Sequence, residues 1–237
     1  MKEKLEISTK DRQNYTTTSS HCCSIPLEKT FSNIKNVKLV NAQIPMTYFI
    51  FNATNNLIKT SYGTATITAG NYTILELITE MTSVLNTATS KTWTISYNNK
   101  TNKLTFTCSS AFQFLFSDAT NTACYNLGFP NIDTTSGLTT TSTRSVNIDG
   151  ELNCYLRIKE FLTPSLHTVK GTFFNFKIPI TKNYNEIEYY TNQGDENIEN
   201  CENIRALYNL SIELLKYDGT YLDLNNSDFN FEIEIEY

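Results

Sequence analysis

Apolar and polar residues alternate along the C-terminal segment of this 237-residue chain. From Phe229 to Tyr237 every odd-numbered position is aromatic or aliphatic, and every even-numbered position is asparagine or glutamate. A period of two is typical of a strand that buries one face and exposes the other. An apolar segment over 204–215 precedes it, and an Asp-Gly turn at 218–219 separates the two. The pattern predicts a terminal β-hairpin and favours an all-β fold over an α/β enzyme.

Weaker alternation elsewhere predicts about eight to ten strands in total. The further strand segments are 22–27, 36–44, 93–97, 104–108, 112–116, 152–158 and 174–180. Pro179 predicts a strand end or a sheet edge, because proline cannot donate a hydrogen bond to a neighbouring strand. The Thr-, Ser- and Gly-rich stretch 134–145 is expected to be an exposed loop, and 192–203 an acidic polar loop.

One helix is well marked. Thr73 can cap its N-terminus, and Glu76 three residues later completes a capping box. Apolar residues then follow at helical spacing, which predicts a helix over 73–87 with one stripe docked on a sheet. This stripe comprises Ile74, Leu77, Ile78, Met81, Val84 and Leu85. A second, shorter helix is expected over 118–127, with Gly128 as its terminator.

The length of the chain fits one domain. Residues 1–20 are polar, rich in Thr and Ser and show no periodicity, so they are expected to form a flexible N-terminal arm. The remaining residues, 21–237, are expected to form the β-domain. The first ten residues are charged and lack an apolar h-region, so no signal peptide is expected.

The charge of the chain limits its partners. Its net charge is −5 and its pI is about 5.2, with no cluster of lysine or arginine. Binding to a phosphate backbone depends on such clusters, so nucleic acid is not an expected partner. The strongest apolar run, 44–51, is too short to cross a bilayer, and no membrane insertion is expected.

The cysteines and histidines give no metal motif. None of the six cysteines forms a C-x-x-C pair, and reduced, mostly buried thiols are expected. Cys108 and Cys154 lie on the apolar phase of predicted strands. The triplet 21–23, His-Cys-Cys, could form half of a metal site, but His167 is the only other histidine and the spacing fits no zinc module. No metal and no cofactor are expected.

The sequence contains none of the common catalytic motifs, namely G-x-S-x-G, the P-loop, H-E-x-x-H and G-x-G-x-x-G. Glu232, Glu234 and Glu236 share one strand face, which favours a solvated surface or a subunit contact over a catalytic pair. Asp223 and Asp228 flank a turn and could bind a cation, although such acids more often stabilise the turn itself. No catalytic residue is predicted, and a scaffold, a binder or an assembly subunit is favoured over an enzyme.

Four segments carry a resemblance to one protein family. Residues 44–52, I-P-M-T-Y-F-I-F-N, are similar to its I-P-N-T-F-Y-N-I segment, and residues 67–77 to its helix start I-P-x-G-N-Y-T-x-E-E-L, with Leu75 where Glu is usual. Residues 126–129 are similar to x-L-G-F. The C-terminal segment from 214 resembles its last hairpin, D-x-x-G-x-x-L-D-L-N-G-x-D-F-S-F-x-L, except at Tyr217 and Asn226. The family comprises the single jelly-roll penton (vertex) and minor capsid proteins of virophages, polinton-like viruses and large eukaryotic DNA viruses.

The resemblance implies a fold and a role. The fold is a single jelly-roll sandwich of about eight strands with one short inserted helix. The role is that of a structural capsid protein, foremost a penton subunit that forms homopentamers at icosahedral vertices and contacts the double jelly-roll major capsid protein. Members are virion components assembled in the host cytoplasm or viral factory, and they are not enzymes.

Two points stay open at the level of sequence. A carbohydrate- or receptor-binding β-sandwich, virion-borne or free, is the alternative function, and it would use exposed tyrosines and the loop 134–145. The arm over 1–20 is expected to reach neighbouring capsid subunits, so that its deletion would leave the fold intact and impair assembly. Plain disorder of the arm is the competing expectation.

Overall fold

The structure is a computed structural model that describes residues 1–161, 166–169, 171–194, 196–201 and 204–237. The chain divides into two compact units. Unit 1 comprises Met1–Tyr48 and Glu151–Tyr237, and unit 2 comprises Phe49–Gly150. Unit 2 therefore interrupts unit 1 in sequence, a division that the expectation of one domain over 21–237 did not include.

Both units are built mainly of strands. Numbered in chain order, the elements are β1 (Lys2–Ser8), a short 3-10 helix (Thr9–Asp11), β2 (Cys22–Ser32), β3 (Asn36–Pro45), β4 (Leu57–Thr60), β5 (Gly63–Thr66), α1 (Ile74–Thr89), β6 (Trp93–Asn98), β7 (Lys103–Phe112), β8 (Gly137–Thr141), β9 (Asn153–Ile158), β10 (Leu166–His167), β11 (Phe173–Phe174), β12 (Phe176–Pro179), β13 (Ile187–Thr191), β14 (Ile198–Asn200), β15 (Ala206–Leu215) and β16 (Asn230–Glu236).

Unit 1 has the strand order of a jelly roll. One antiparallel sheet has the order β1-β16-β3-β13, with β14 also paired to β3, and the other has the order β12-β9-β15-β2. Without β14 the two sheets contain eight strands, and we number these one to eight along the chain. The first sheet then has the order first, eighth, third and sixth. The second sheet takes the fifth, fourth, seventh and second. This is the double Greek key of a jelly-roll sandwich, so the predicted fold class is confirmed.

The predicted alternation positions the core of unit 1. In β16 the side chains of Phe231, Ile233 and Ile235 are buried, and the glutamates between them lie on the opposite face. In the other sheet Leu156 of β9 and Leu214 of β15 are also buried, and there the residues on both sides of Leu214 are buried as well. Burial of each such side chain contributes about 1.5–3 kcal/mol to folding. Pro179 ends the edge strand β12, as its inability to donate predicts.

The prediction of a terminal hairpin is wrong, because β15 and β16 lie in different sheets. The Asp-Gly turn closes only the end of β15: the amide of Lys216 donates to the carbonyl of Thr220 at 2.8 Å, and that of Leu222 donates to Leu214 at 2.9 Å. The chain then passes to the other sheet before β16 begins. Two apolar segments separated by a turn motif therefore do not pair with each other in this fold.

The expected arm over 1–20 differs from the structure at its beginning. Lys2–Ser8 forms β1, which pairs with β16 along its whole length. Ile7 is buried, and Leu5 lies on the same face two residues earlier. Only two apolar residues alternate in β1, and lysines and glutamates surround them. The sequence alone therefore did not predict this strand, which forms by pairing with β16. Deletion of the arm would remove a complete strand, which conflicts with the expectation of an intact fold.

Unit 2 contains the hairpin β4-β5, the sheet β6-β7-β8 and α1. The capping box is confirmed, since the amide of Thr73 donates to Glu76 Oε2 at 2.8 Å and the amide of Glu76 donates to Thr73 Oγ1 at 3.4 Å. The stripe of α1 packs on a core rich in aromatic rings. The rings of this core are Phe51, Trp93, Phe106, Phe112, Phe114, Phe116 and Phe129.

Three local predictions in the chain are wrong. No helix forms over 118–127, because the backbone there bonds to β4: the amide of Leu57 donates to Asn121, and the amide of Ala123 donates to Leu57, both at 2.9 Å. The expected loop 134–145 contains β8, which pairs with β7. The expected loop 192–203 contains β14, which pairs with β3, while residues 195, 202 and 203 of it lie outside the described residues. In each case a partner strand remote in sequence overrides local composition.

Candidate assembly surfaces

The outer face of the β1-β16-β3-β13 sheet carries a ladder of charges. Lys2 Nζ lies 2.8 Å from Glu234 Oε1, and Lys4 Nζ lies 2.8 Å from Glu232 Oε1. Glu236 accepts from Asn36 Nδ2 at 3.3 Å. The ion pair with Lys2 lowers the pKa of Glu234. The three glutamates predicted to share a face do so, and each already has a partner within the chain.

A second charged cluster anchors the N-terminal segment. Arg12 pairs with Asp228, and the side chains of both are nearly inaccessible to solvent. Asp228 also accepts from Thr9 Oγ1 at 3.0 Å and from the Tyr15 hydroxyl at 2.9 Å. Burial raises the pKa of Asp228, but these hydrogen bonds and the Arg12 charge outweigh it, and the net shift is downward. The carboxylate that the sequence offered as a cation ligand is thus engaged by an arginine.

A third cluster lies at the outer face of the other sheet. The buried Glu213 of β15 accepts from Arg157 Nε at 2.6 Å, lies 2.9 Å from Lys159 Nζ and accepts from the Tyr221 hydroxyl at 3.1 Å. Burial acts to raise the pKa of Glu213, but the two cations outweigh it and the pKa falls. Sequence reasoning missed this group. Its only local signal is a single acid within the apolar run 210–215.

The His-Cys-Cys triplet is not brought to a metal-binding arrangement. His21 Nδ1 lies 3.3 Å from Asp223 Oδ1, and burial lowers the pKa of His21 although Asp223 opposes this shift. Cys22 Sγ donates to the Tyr221 hydroxyl at 3.5 Å, while Cys23 is buried. Across the described ranges no three His, Cys, Asp or Glu side chains are grouped to hold a metal ion.

The cysteines follow the prediction of free, mostly buried thiols. All six are unpaired, and Cys22 alone among them is only half-buried. Burial raises the pKa of Cys23 to about 11 and that of Cys201 to about 12. The pKa of Cys154, which is inaccessible to solvent, is also raised by burial. These thiols pack as small apolar side chains.

Unit 1 also presents sheet edges and exposed rings. The strands β1 and β13 border one sheet, and β2 and β12 border the other. Tyr189 on β13 and Tyr208 on β15 expose more than half of their surface. Beside Tyr208, where the pairing of β15 with β2 shifts register, a cavity of about 770 Å³ is lined by Pro26, Leu207 and Asn209. Free edges and exposed aromatic side chains are features of surfaces that bind other protein chains.

No helix in the described part of the chain is both long and apolar enough to cross a membrane.

Comparison with solved structures places the fold. The crystal structure of the mavirus penton protein, in its selenomethionine-labelled form, matches with a TM-score of 0.53 and 11% identity, covering 100% of this chain and 99% of the penton chain. A chain of the Sputnik virophage structure, determined by cryo-electron microscopy, matches with a TM-score of 0.50 and 9% identity, covering 99% and 97%.

No model of a protein family matches the sequence. No curated protein matches it either. The similarity to the two virophage structures covers nearly the whole chain and therefore includes residues of both units. The chain therefore has the jelly-roll fold of the mavirus penton protein, as the motifs at 44–52, 67–77 and 126–129 predicted.

Proposed function

We propose that this chain is a structural capsid protein, namely the penton subunit that closes the icosahedral vertices of a virus as a homopentamer. The observation that carries the proposal is the match in fold over the full length of the mavirus penton protein. Two chains whose folds match over nearly the whole length of both are best explained by the same role.

The surfaces of unit 1 support an assembly role over catalysis. Three carboxylates of unit 1 are engaged by cations: Glu234 by Lys2, Asp228 by Arg12 and Glu213 by Arg157. Each is held in its charged form by a cation, whereas a catalytic acid needs a raised pKa. A penton role, as in the mavirus protein, needs neither catalysis nor a cofactor, and the proposal includes neither.

The proposal includes two kinds of partner. A ring of identical subunits needs heterologous interfaces that close on themselves, so two different surfaces of each copy meet. The two borders of each sheet in unit 1 differ in sequence, as such an interface requires. At the outside of the ring, the double jelly-roll major capsid protein is the second partner, and the chain is a virion component assembled in the host cytoplasm or viral factory.

The alternative of a carbohydrate- or receptor-binding module has lost part of its support. It relied on an exposed loop at 134–145, and the middle of that segment is the strand β8. The exposed tyrosines that remain serve a protein interface equally well.

Antibody labelling of intact particles tests the role. Gold-conjugated antibodies raised against the purified chain should mark the fivefold vertices of the virus particles. Labelling spread over the facets, or particles that are not labelled at all, would contradict the proposal.

A further inference from the structure

The sheet of unit 2 has an outward face made of hydroxyl groups. The pairing of β6 with β7 and of β7 with β8 aligns two rows of side chains across the three strands. The first row is Thr94, Thr107 and Thr139, and the second is Ser96, Thr105 and Thr141. We call these six residues the hydroxyl face. The opposite face of the same strands is buried in the aromatic core, with Trp93 and Phe106 at its centre.

Four of the six hydroxyl groups of this face bond to one another in two pairs. Thr105 Oγ1 and Thr141 Oγ1 lie 2.9 Å apart, and Thr107 Oγ1 and Thr139 Oγ1 lie 3.2 Å apart. Cross-strand threonine pairs of this kind stabilise a sheet. Hydroxyls that already have a protein partner lose less on removal of water than isolated ones. A second surface can therefore cover this exposed face at low cost in desolvation.

Charge separates this face from the rest of the chain. Between Glu80 and Asp118 the sequence contains no acid, and its only charged residues are Lys91, Lys100 and Lys103, which lie before β6, in the β6-β7 turn and at the start of β7. Along β6 and β7 the hydroxyl face is thus neutral with a basic border, while Asp133 precedes β8 and Arg144 follows it. Unit 2 carries five basic and five acidic residues, so the net charge of −5 lies in unit 1.

We propose that the hydroxyl face contacts the acidic unit 1 of a neighbouring copy of this chain. The inference rests on the proposed homopentamer. A heterologous interface joins two different surfaces, and a neutral surface with a basic border is complementary in charge to an acidic one. The face is only three strands wide, about 10 Å between the outer strands. It therefore forms one part of an interface that needs about 800 Å² on each partner.

Substitutions at the centre of the face test the proposal. T107E places a negative charge opposite the acidic partner, and T107K places a positive charge at the same position. S83E is the matched control, because Ser83 is an exposed hydroxyl residue of the same unit on α1. Circular dichroism and thermal unfolding of each variant establish that it folds. The readout is the concentration at which pentamers dissociate, measured by mass photometry.

We expect T107E to raise the dissociation concentration at least tenfold, while S83E and T107K stay within about threefold of the wild type. Raised salt should weaken the wild-type and S83E pentamers, because it screens the basic border. If T107E folds and assembles like the wild type, the hydroxyl face is not a contact, and the pentamer itself remains supported. If the wild type does not assemble at all, the proposed function fails, and this contact fails with it.

Discussion

Arg12 and Asp228, 216 positions apart in sequence, form a buried ion pair. The pair joins the segment that follows β1 to the segment that leads into β16. Thr9 completes the junction, since its amide donates to the Phe229 carbonyl at 3.0 Å while its hydroxyl accepts from the Phe229 amide at 3.0 Å. The first and last strands of the jelly roll are thus held together beyond the ladder of β1 with β16. This junction, which the composition of residues 1–20 gave no reason to expect, leads to the first two predictions.

Loss of one partner of this pair should destabilise the protein strongly. Arg12→Ala leaves the Asp228 carboxylate without its cation in a site nearly closed to solvent, at an expected cost of about 3 kcal/mol. For a chain of this length that corresponds to a fall in Tm of about 6–12 °C. The matched control is Lys59→Ala, which breaks the more exposed pair with Asp118 and should cost less than about 1 kcal/mol. Equal losses in the two variants, measured by thermal unfolding, would contradict the account.

The free energy of unfolding should decrease as the pH is lowered. The pKa values of Asp228 and Glu213 are lowered in the folded state. A carboxyl with a lowered folded pKa contributes stability above its unfolded pKa, about 4 for these groups, and this contribution is lost as pH falls through the folded value.

Urea unfolding between pH 7 and pH 3 measures this dependence. The free energy of unfolding should decrease steadily below about pH 5. Asp228→Asn removes one of the contributing groups, so its stability should start lower and decline less steeply than that of the wild type. Parallel curves for the two proteins would show that Asp228 titrates normally in the folded state.

Deletion of residues 1–8 should impair folding. The deletion removes β1, its pairing with β16 and the ion pairs of Lys2 and Lys4 with the outward glutamates. It also exposes the edge of β16, and an unprotected edge promotes aggregation. We expect a lower Tm and more aggregate on size exclusion. As a control, Lys2→Ala combined with Lys4→Ala keeps the strand and should lose little stability. A truncated protein with unchanged Tm would show that β1 is a dispensable arm.

Thiol reactivity should distinguish one cysteine from the other five. Cys22 is half-buried, whereas the remaining thiols are buried, with a pKa raised to about 11 at Cys23 and about 12 at Cys201. Because the thiolate is the reactive form, Ellman's reagent at pH 7.4 should react rapidly with one thiol in the native protein and with all six after denaturation. Cys22→Ser should remove the rapid phase. Several rapid equivalents in the native protein would contradict the described burial.

The sequence predicted those elements whose signal is local. The alternation in β16 and the capping box at Thr73 and Glu76 each lie within a few residues, and both are present. The prediction of a hairpin failed because partner choice depends on the whole sandwich: β15 and β16 are separated by one turn signal and belong to different sheets. The same limit hid β1, β8 and β14, whose polar sequences become strands only beside partners that lie far away in the chain.

The candidate surfaces divide in the same way. The shared face of Glu232, Glu234 and Glu236 follows from a period of two and was predictable. The lysines that neutralise two of them come from β1, over 220 positions earlier in the chain, and no sequence window contains both partners. The hydroxyl face is similar: each strand contributes only a Thr-x-Thr or Thr-x-Ser pattern, and the register of three strands assembles the array.

The proposed homopentamer can be tested most directly by its mass in solution. Light scattering coupled to size exclusion measures the mass of the purified protein in solution without reference to its shape. A monomer has a mass of 27.0 kDa, and the account predicts a single species of about five times that mass, stable on dilution into the micromolar range. A species of two, three or six copies, or a monomer at every concentration tested, would contradict it.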